Sequence, residues 1–337
     1  MKFLISIGLA LICAIGVSSA HDATRRFVLV VHGGAGAMGN LTVPQQAAYK
    51  AGLSRALAAG YAILKTGGSS LDAITASIKT LEDDSLFNAG KGAVFAYDGR
   101  NELDASIMDG RNLMAGAVAG VTTVKNPITA ARAVMEQSPH VMLAGRGAEQ
   151  FAASHGCTIV KPSYFYTAGR WLDLQKAKKS MAEKGSHKTG MLQPGNKDWK
   201  YGTVGAVALD LHGNLAAGTS TGGMTAKRWN RVGDSPVIGA GTYANNTSCA
   251  VSCTGWGEYF IRLSMAKSVS DRMELAGETL QNAAHTMIYE KLPALGGDGG
   301  LIAVDKSGNI IMPFNTTGMF RGFVREDGMM STAIYKD

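Results

Sequence analysis

Gly202-Thr203-Val204-Gly205-Ala206-Val207-Ala208 is the stretch on which the reading of this chain turns. A polar, lysine-rich segment runs into it, and an apolar strand pattern runs out of it. A threonine hydroxyl at its ordinary pKa is a weak nucleophile and needs an adjacent base. Cutting the Gly202–Thr203 bond would leave Thr203 with a free α-amine of pKa about 7.7–8.0, a base on the nucleophile's own residue. Alone, Gly-Thr-Val reads more simply as the opening of a β-strand, so the weight falls on the surrounding sequence.

Upstream, Lys176, Lys178, Lys179, Lys184, Lys188, Lys197 and Lys200 hold much of the excess behind a formal charge of +7. The same segment carries Gly185, Gly190, Pro194 and Gly195 and lacks apolar periodicity after Leu174. It reads as a solvated linker over about 170–202, not as a nucleic-acid surface. The first twenty residues read as an export signal. Lys2 is the basic start, Phe3 to Val17 the apolar run, and Ser18-Ser19-Ala20 the small-residue cleavage site. The expectation is an exported chain, periplasmic or secreted, starting near His21 and free of the membrane once the signal is removed. Only Cys157, Cys249 and Cys253 then remain, too few for a disulfide framework; Cys249 and Cys253 read as buried thiols. The seven histidines are scattered and give no metal cluster. With 43 glycines and 18% charged residues among 337, the chain reads as a turn-rich fold with a sizeable core.

The element pattern predicts a strand at Phe27–Val31 and helices over Gln45–Lys65 and from an N-cap at Ser70 to about Leu81. Further helix starts fall at Asn126-Pro127 and at Ser138-Pro139, the latter running to about Gly156. Beyond the linker, Thr203–Asp210 with Leu215–Thr219, and Leu301–Asp305 with Ile310–Phe314, read as hairpins. Glu258–Lys267 and Glu274–Lys291 read as helices between them. Hairpins in place of βαβ units argue for an α+β fold, an antiparallel core covered by helices on both faces.

Two chemistries compete. Gly218-Thr219-Ser220-Thr221-Gly222 fits the G-x-S-x-G elbow of esterases, with His32-Gly33-Gly34 as an oxyanion motif and Asp234 and His285 completing a triad. That elbow needs a helix directly after it, and Gly223–Gly233 has no apolar stripe. The other reading rests on motifs in order: VHGGAG at 31–36, FNAGKGAVF at 87–95, ELDA at 102–105 and MDG at 108–110. GTVGAVA at 202–208, TSTGG at 219–223, RVGDSP at 231–236, ANN at 244–246 and SCTG at 252–255 follow.

This ordered set resembles the plant-type asparaginase / isoaspartyl peptidase family of N-terminal nucleophile hydrolases, over nearly the whole mature chain. The resemblance implies a four-layer αββα sandwich and self-cleavage into segments 21–202 and 203–337. It further implies an (αβ)₂ assembly that hydrolyses L-asparagine and β-aspartyl dipeptides. Thr203 then matches the nucleophile, exposed by cutting after Gly202, and Thr221 the threonine that orients it. Thr254 and Gly255 match the oxyanion donors. Arg231 and Asp234 match the substrate clamp, with Gly257 and Asn88 close by. A clamp of this kind suits a zwitterionic substrate end, because a guanidinium pairs with a carboxylate and a carboxylate with an ammonium. No cofactor is required. Loop 81–91 matches a place where the family can hold a structural sodium ion with backbone carbonyls, here those of Leu81, Glu82, Asp84, Phe87, Ala89 and Lys91. Trp256 departs from the smaller residues usual between Gly255 and Gly257, and is expected to narrow the pocket or stack on substrate. TGG at 221–223 and ANN at 244–246 resemble this branch more than the glycosylasparaginase branch, and the protease branch that cuts large proteins stands as a remoter alternative.

Overall fold

Two apolar sets alternate along the first strand, β1 (Val28–Gly36). Leu29 and Val31 pack with Leu53, Leu57, Ile74 and Ile78, whereas Val28 and Val30 pack with Val251, Ala303 and Val304. A strand buried on both faces requires a layer on each side. The computed structural model describes residues 26–36, 38–39, 41–183 and 202–336. The export signal and the latter part of the basic segment lie outside the described residues.

After β1 come α1 (Val43–Lys65), α2 (Ser70–Glu82), β2 (Leu103–Asp109), β3 (Ala115–Val121), α3 (Pro127–Gln137), β4 (Met142–Ala144), α4 (Gly145–Ser154) and α5 (Ala168–Glu183). From Thr203 onward follow β5 (Val204–Leu209), β6 (Leu215–Thr221), β7 (Thr242–Ala244), β8 (Cys249–Gly255), α6 (Gly257–Arg262), α7 (Met265–Ala276) and α8 (Leu280–His285). A π-helical turn (Thr286–Lys291), α9 (Leu292–Ala294), β9 (Gly299–Asp305), β10 (Ile310–Ile311), β11 (Gly318–Arg325) and β12 (Met330–Tyr335) complete the order.

Eight strands in the order β12-β11-β1-β5-β6-β2-β3-β4 form one sheet, and β10-β9-β8-β7 form the other. The first helices cover the outer face of the large sheet, through Leu53, Ile78, Ile128 and Val134. The small sheet lies on its inner face and is covered in turn by Ala266, Val269, Ala283 and Ile288. Helices, sheet, sheet, helices is the αββα order. It places β5 at the centre of the large sheet, between β1 and β6, so the chain around Thr203 enters a site walled by both sheets.

Several expected boundaries move. The second helix is capped by Ser69, whose side chain accepts from Asp72 N–H, and not by Ser70. Ser138-Pro139 does not open a helix. The chain first adds β4, parallel to β3, and α4 starts at Gly145. The expected helix Glu258–Lys267 breaks at Ser264, which is left-handed (φ 44°), and Glu274–Lys291 is interrupted at Gly277 (φ 68°). The basic segment begins as helix α5, not linker. Trp171, Leu174, Ala177 and Met181 make a sparse apolar stripe that packs on Phe95 and Ala226. Lysines between these positions hide the stripe from a composition-based reading. Arg170 fastens the helix by donating to the carbonyls of Gly92 and Leu86 (2.8 and 3.2 Å). As expected, Cys249 and Cys253 are buried thiols, both on β8.

Candidate active site

Thr203 stands one residue before β5 and is buried, with its neighbours fixed from three directions. Its hydroxyl donates to Thr221 Oγ1 at 3.0 Å, and the Thr221 hydroxyl donates to the Gly202 carbonyl at 3.1 Å. Asn88 Nδ2 donates to the same Gly202 carbonyl at 2.7 Å and to the Gly223 carbonyl at 2.8 Å; its Oδ1 accepts from Val94 N–H. The Gly202 carbonyl therefore sits between two donors while the Thr203 hydroxyl lies alongside. From behind, a Cβ on Gly34 (φ 116°) would stand 2.9 Å from Gly202 Cα and 3.2 Å from Thr203 N. Only glycine accommodates both that φ and that approach.

Thr203, Thr221, Arg231, Asp234 and Gly255 line one pocket. Asp234 is buried, and its Oδ2 has no hydrogen-bond partner among the described residues. Burial pushes its carboxyl up to about 7, against the pull of Arg231 and with a further push from Glu258 and Asp104. A buried carboxylate oxygen without a donor is costly unless a cation supplies one. Arg231 does not spend its charge on Asp234. Its Nε and Nη2 donate to the two oxygens of Glu258, both at 2.8 Å. Burial alone would raise the Glu258 carboxyl; the hydrogen bonds and positive charge of Arg231 bring it below its ordinary value. Gly257 lets these groups converge, since a Cβ there would lie 2.8 Å from Asp234 Oδ1 and 2.9 Å from Arg231 Nη2.

Thr254 lies on β8 just behind the pocket, its Oγ1 accepting from Ala35 N–H at 3.1 Å. Trp256 meets neither expectation: it packs edge-on against Tyr259 in the core behind the small sheet and does not line the pocket.

The sequence that builds this pocket has matches elsewhere. The family model described as asparaginase (Asparaginase_2) matches residues 25–334. This chain belongs to that family. It is 50% identical to an isoaspartyl peptidase of Escherichia coli (strain K12), over 92% of this chain and 96% of the relative. It is 44% and 42% identical to the isoaspartyl peptidase/L-asparaginases of Rattus norvegicus and Homo sapiens, each over 87% of this chain and 84% and 91% of theirs. As a member of the asparaginase family it is a hydrolase.

The esterase alternative fails on geometry. Ser220 lies within β6, no helix follows at Gly223–Gly233, and the Ser220 hydroxyl donates to Glu82 Oε1 at 2.7 Å. Burial raises the Glu82 carboxyl to about 8, so Ser220 helps to satisfy a neutral buried acid. Ser220→Ala is expected to keep kcat within about twofold of wild type while lowering unfolding stability by about 1–3 kcal/mol. Parallel kinetics and urea melts would show this, and an inactive but stable variant would contradict it.

Two groups were not anticipated as part of the site. Glu258 directly follows the Thr254–Gly257 motif, a position that gives no hint of its partner. His32 stands in both motif readings, in HGG of the esterase alternative and in VHGGAG, with no role of its own in either site. Its Nδ1 lies 2.9 Å from the Thr203 carbonyl.

Proposed function

We propose that this chain cuts itself between Gly202 and Thr203 and then hydrolyses β-aspartyl dipeptides and L-asparagine to L-aspartate. One observation carries the reading: the Thr203 hydroxyl, the doubly held Gly202 carbonyl and the Arg231/Asp234 pair share one pocket. In self-cleavage, Thr203 Oγ1 attacks the Gly202 carbonyl carbon while Asn88 and Thr221 donate to its oxygen. The C–N bond breaks, the nitrogen gains the hydroxyl's proton, and water hydrolyses the ester left on Thr203. Gly202 departs as a carboxylate, freeing the donors that held its carbonyl for the substrate side.

In the mature enzyme the Thr203 amine takes the proton from its own hydroxyl. Arg231 holds the substrate α-carboxylate and the Asp234 carboxylate its ammonium, which sets the side-chain carbonyl against Oγ1. Thr254, whose oxygen accepts from Ala35, gives its own proton to the oxyanion, with Gly255 N–H as the second donor. Removing one such donor typically costs about 10²–10³ in rate. Ammonia or an amino acid leaves with the amine's proton, and water then releases aspartate.

Both substrates present the same zwitterionic end and differ only in leaving group. β-Asp-Leu is therefore expected to be cleaved at least as efficiently as asparagine, and α-Asp-Leu not at all, because its scissile carbonyl lies one methylene from where the clamp holds it. Comparing kcat/KM on the three compounds tests this; appreciable α-Asp-Leu cleavage would mean the clamp is misassigned.

Three further parts of the proposal are carried with it. Export, by the signal at residues 1–20, predicts a mature N-terminus near His21 in the exported fraction. Assembly as (αβ)₂ is supported by the exposed apolar side chains Leu113, Met114, Val141 and Met142 beside β3 and β4, and light scattering reads it directly. A sodium ion would be held at loop 81–91 by backbone carbonyls. Those of Leu81, Phe87 and Ala89 each accept a backbone N–H (from Asp84, Ala89 and Gly92) and keep a second lone pair for a hard cation. The Asp84 carboxylate is already engaged by Arg55 and by Leu86 N–H. Melting is expected several degrees higher in NaCl than in choline chloride at equal ionic strength; identical curves would remove the ion.

A further inference from the structure

The inner face of the large sheet carries a transverse row of polar side chains beside the pocket. Strand register places His32 opposite Gly205, Gly205 opposite Thr219, and Thr219 opposite Ser106, across β1, β5, β6 and β2. The facing sheet meets this row with Ser252, itself paired with Thr242. All of these side chains are buried. Glycine at 205 makes the meeting possible: a Cβ there would lie 2.0 Å from Ser252 Oγ and 2.4 Å from His32 Nε2.

The two contacts of the imidazole fix its tautomer. The Thr203 carbonyl can only accept, so His32 Nδ1, 2.9 Å away, carries the proton. Nε2 of the neutral ring must then accept, and Ser252 Oγ donates to it at 2.9 Å. Ser252 has spent its one proton there. The row continues to Thr219 (2.7 Å), Thr242 and Ser106 (2.8 Å), and the Gly241 carbonyl, which can only accept, also lies within hydrogen-bond reach of Thr219 at 3.1 Å. Ser106 also lies 2.6 Å from the carbonyl of Ser235, next to Asp234. Nothing in the self-cleavage or hydrolysis steps above uses this chain.

We propose that His32 is a positioning residue for Thr203, held as the neutral Nδ1–H tautomer between the Thr203 carbonyl and the Ser252 hydroxyl, at the end of a buried row of hydroxyls that joins the nucleophile's backbone to the turn bearing Asp234. It rests on the reading of Thr203 as nucleophile. Self-cleavage turns Thr203 into a chain end, and chain ends fray unless tied down. The His32 bond to its carbonyl is the tie, and it keeps the amine and hydroxyl aimed at the pocket. Burial drives the imidazole down to about 3, which agrees with a ring kept neutral. Of its register partners, Gly205 is uncharged, and Arg321 on β11 is a cation that donates to the carbonyls of Met319 and Tyr335 and also disfavours imidazolium.

The test joins a spectrum to a pair of variants. In ¹⁵N-histidine-labelled protein, His32 is expected to give one neutral Nδ1–H signal set throughout pH 5.5–8.5. An Nε2–H tautomer, or titration within that range, would overturn the proposal. This readout needs no activity, so it stands apart from the identity of the nucleophile, which wild-type turnover tests. His32→Asn sets an amide N–H near the Nδ1 position, whereas His32→Gln sets one near Nε2. Once matured, His32→Gln should lose about tenfold to a hundredfold in kcat with KM within about twofold, the scale of a misplaced reacting group. His32→Asn should recover at least about fivefold of that loss, and Ser252→Ala should lower kcat alone. Equal kcat for the Asn and Gln variants, or losses confined to KM, would refute the positioning role.

Discussion

Thr203→Ala is expected to accumulate as one uncut chain with no hydrolytic activity, whereas wild type is expected to yield fragments 21–202 and 203–337. No other substitution should remove both processing and catalysis at their source. In the proposed mechanism the same oxygen attacks the Gly202 carbonyl and the substrate, and the amine base exists only after the cut. The surrounding geometry is independent of that hydroxyl. Asn88 Nδ2 still reaches the Gly202 carbonyl, and β5 still pairs with β1 and β6. The variant should therefore fold, with a melting temperature near that of an uncut precursor. Intact mass and an asparagine assay on one preparation decide the matter: a cut, active Ala variant would place the nucleophile elsewhere. Thr203→Ser, which keeps the hydroxyl, should still process, more slowly, because the lost methyl no longer restricts χ1.

Arg231→Ala is expected to raise KM for asparagine by roughly tenfold to a hundredfold while leaving self-cleavage intact, since the precursor has no free carboxylate to bind. A charge-assisted pair is worth about 1.5–3 kcal/mol, which sets that range. The effect has a pH signature. Burial lifts the Asp234 carboxyl to about 7, and Arg231 is what restrains it. Binding the substrate ammonium needs the ionised form, so in wild type 1/KM should fall roughly tenfold per pH unit below that value and level off above it. In Arg231→Ala the same break should move upward in pH, because Glu258 and Asp104 then push Asp234 without a counter-cation. The Thr203 amine, also active when unprotonated, governs kcat instead, so the two profiles separate the groups. An unchanged KM, or a break that stays in place, would show that Arg231 and Asp234 do not act together.

Much of this molecule is legible in its sequence because the signals are local. Alternating burial along β1, the turns after Asp210 and Asp305, and the proline start of α3 follow from side-chain period and turn chemistry within a few residues. The proposed nucleophile draws on a local signal too, a glycine–threonine junction between a polar segment and a buried strand, and the proposed clamp on a cation and an anion three residues apart. Helix α5 was obscured because its apolar stripe is thin and lysines fill the remaining positions. Its burial comes from Phe95 and Ala226, distant in sequence.

What only the tertiary structure decided concerns pairings across the chain. Register fixes which strands lie side by side, and register depends on the whole hydrophobic pattern rather than on any one segment. It sets Asn88 against the Gly202 carbonyl, turns Trp256 into the core beside Tyr259, and gives Arg231 to Glu258 in place of Asp234. It also brings His32, Ser252, Thr219, Thr242 and Ser106, from five strands, into one buried row. A lone serine or histidine on an apolar strand carries no local mark of such a role. Its partner is chosen only when two sheets close and every buried donor must find an acceptor.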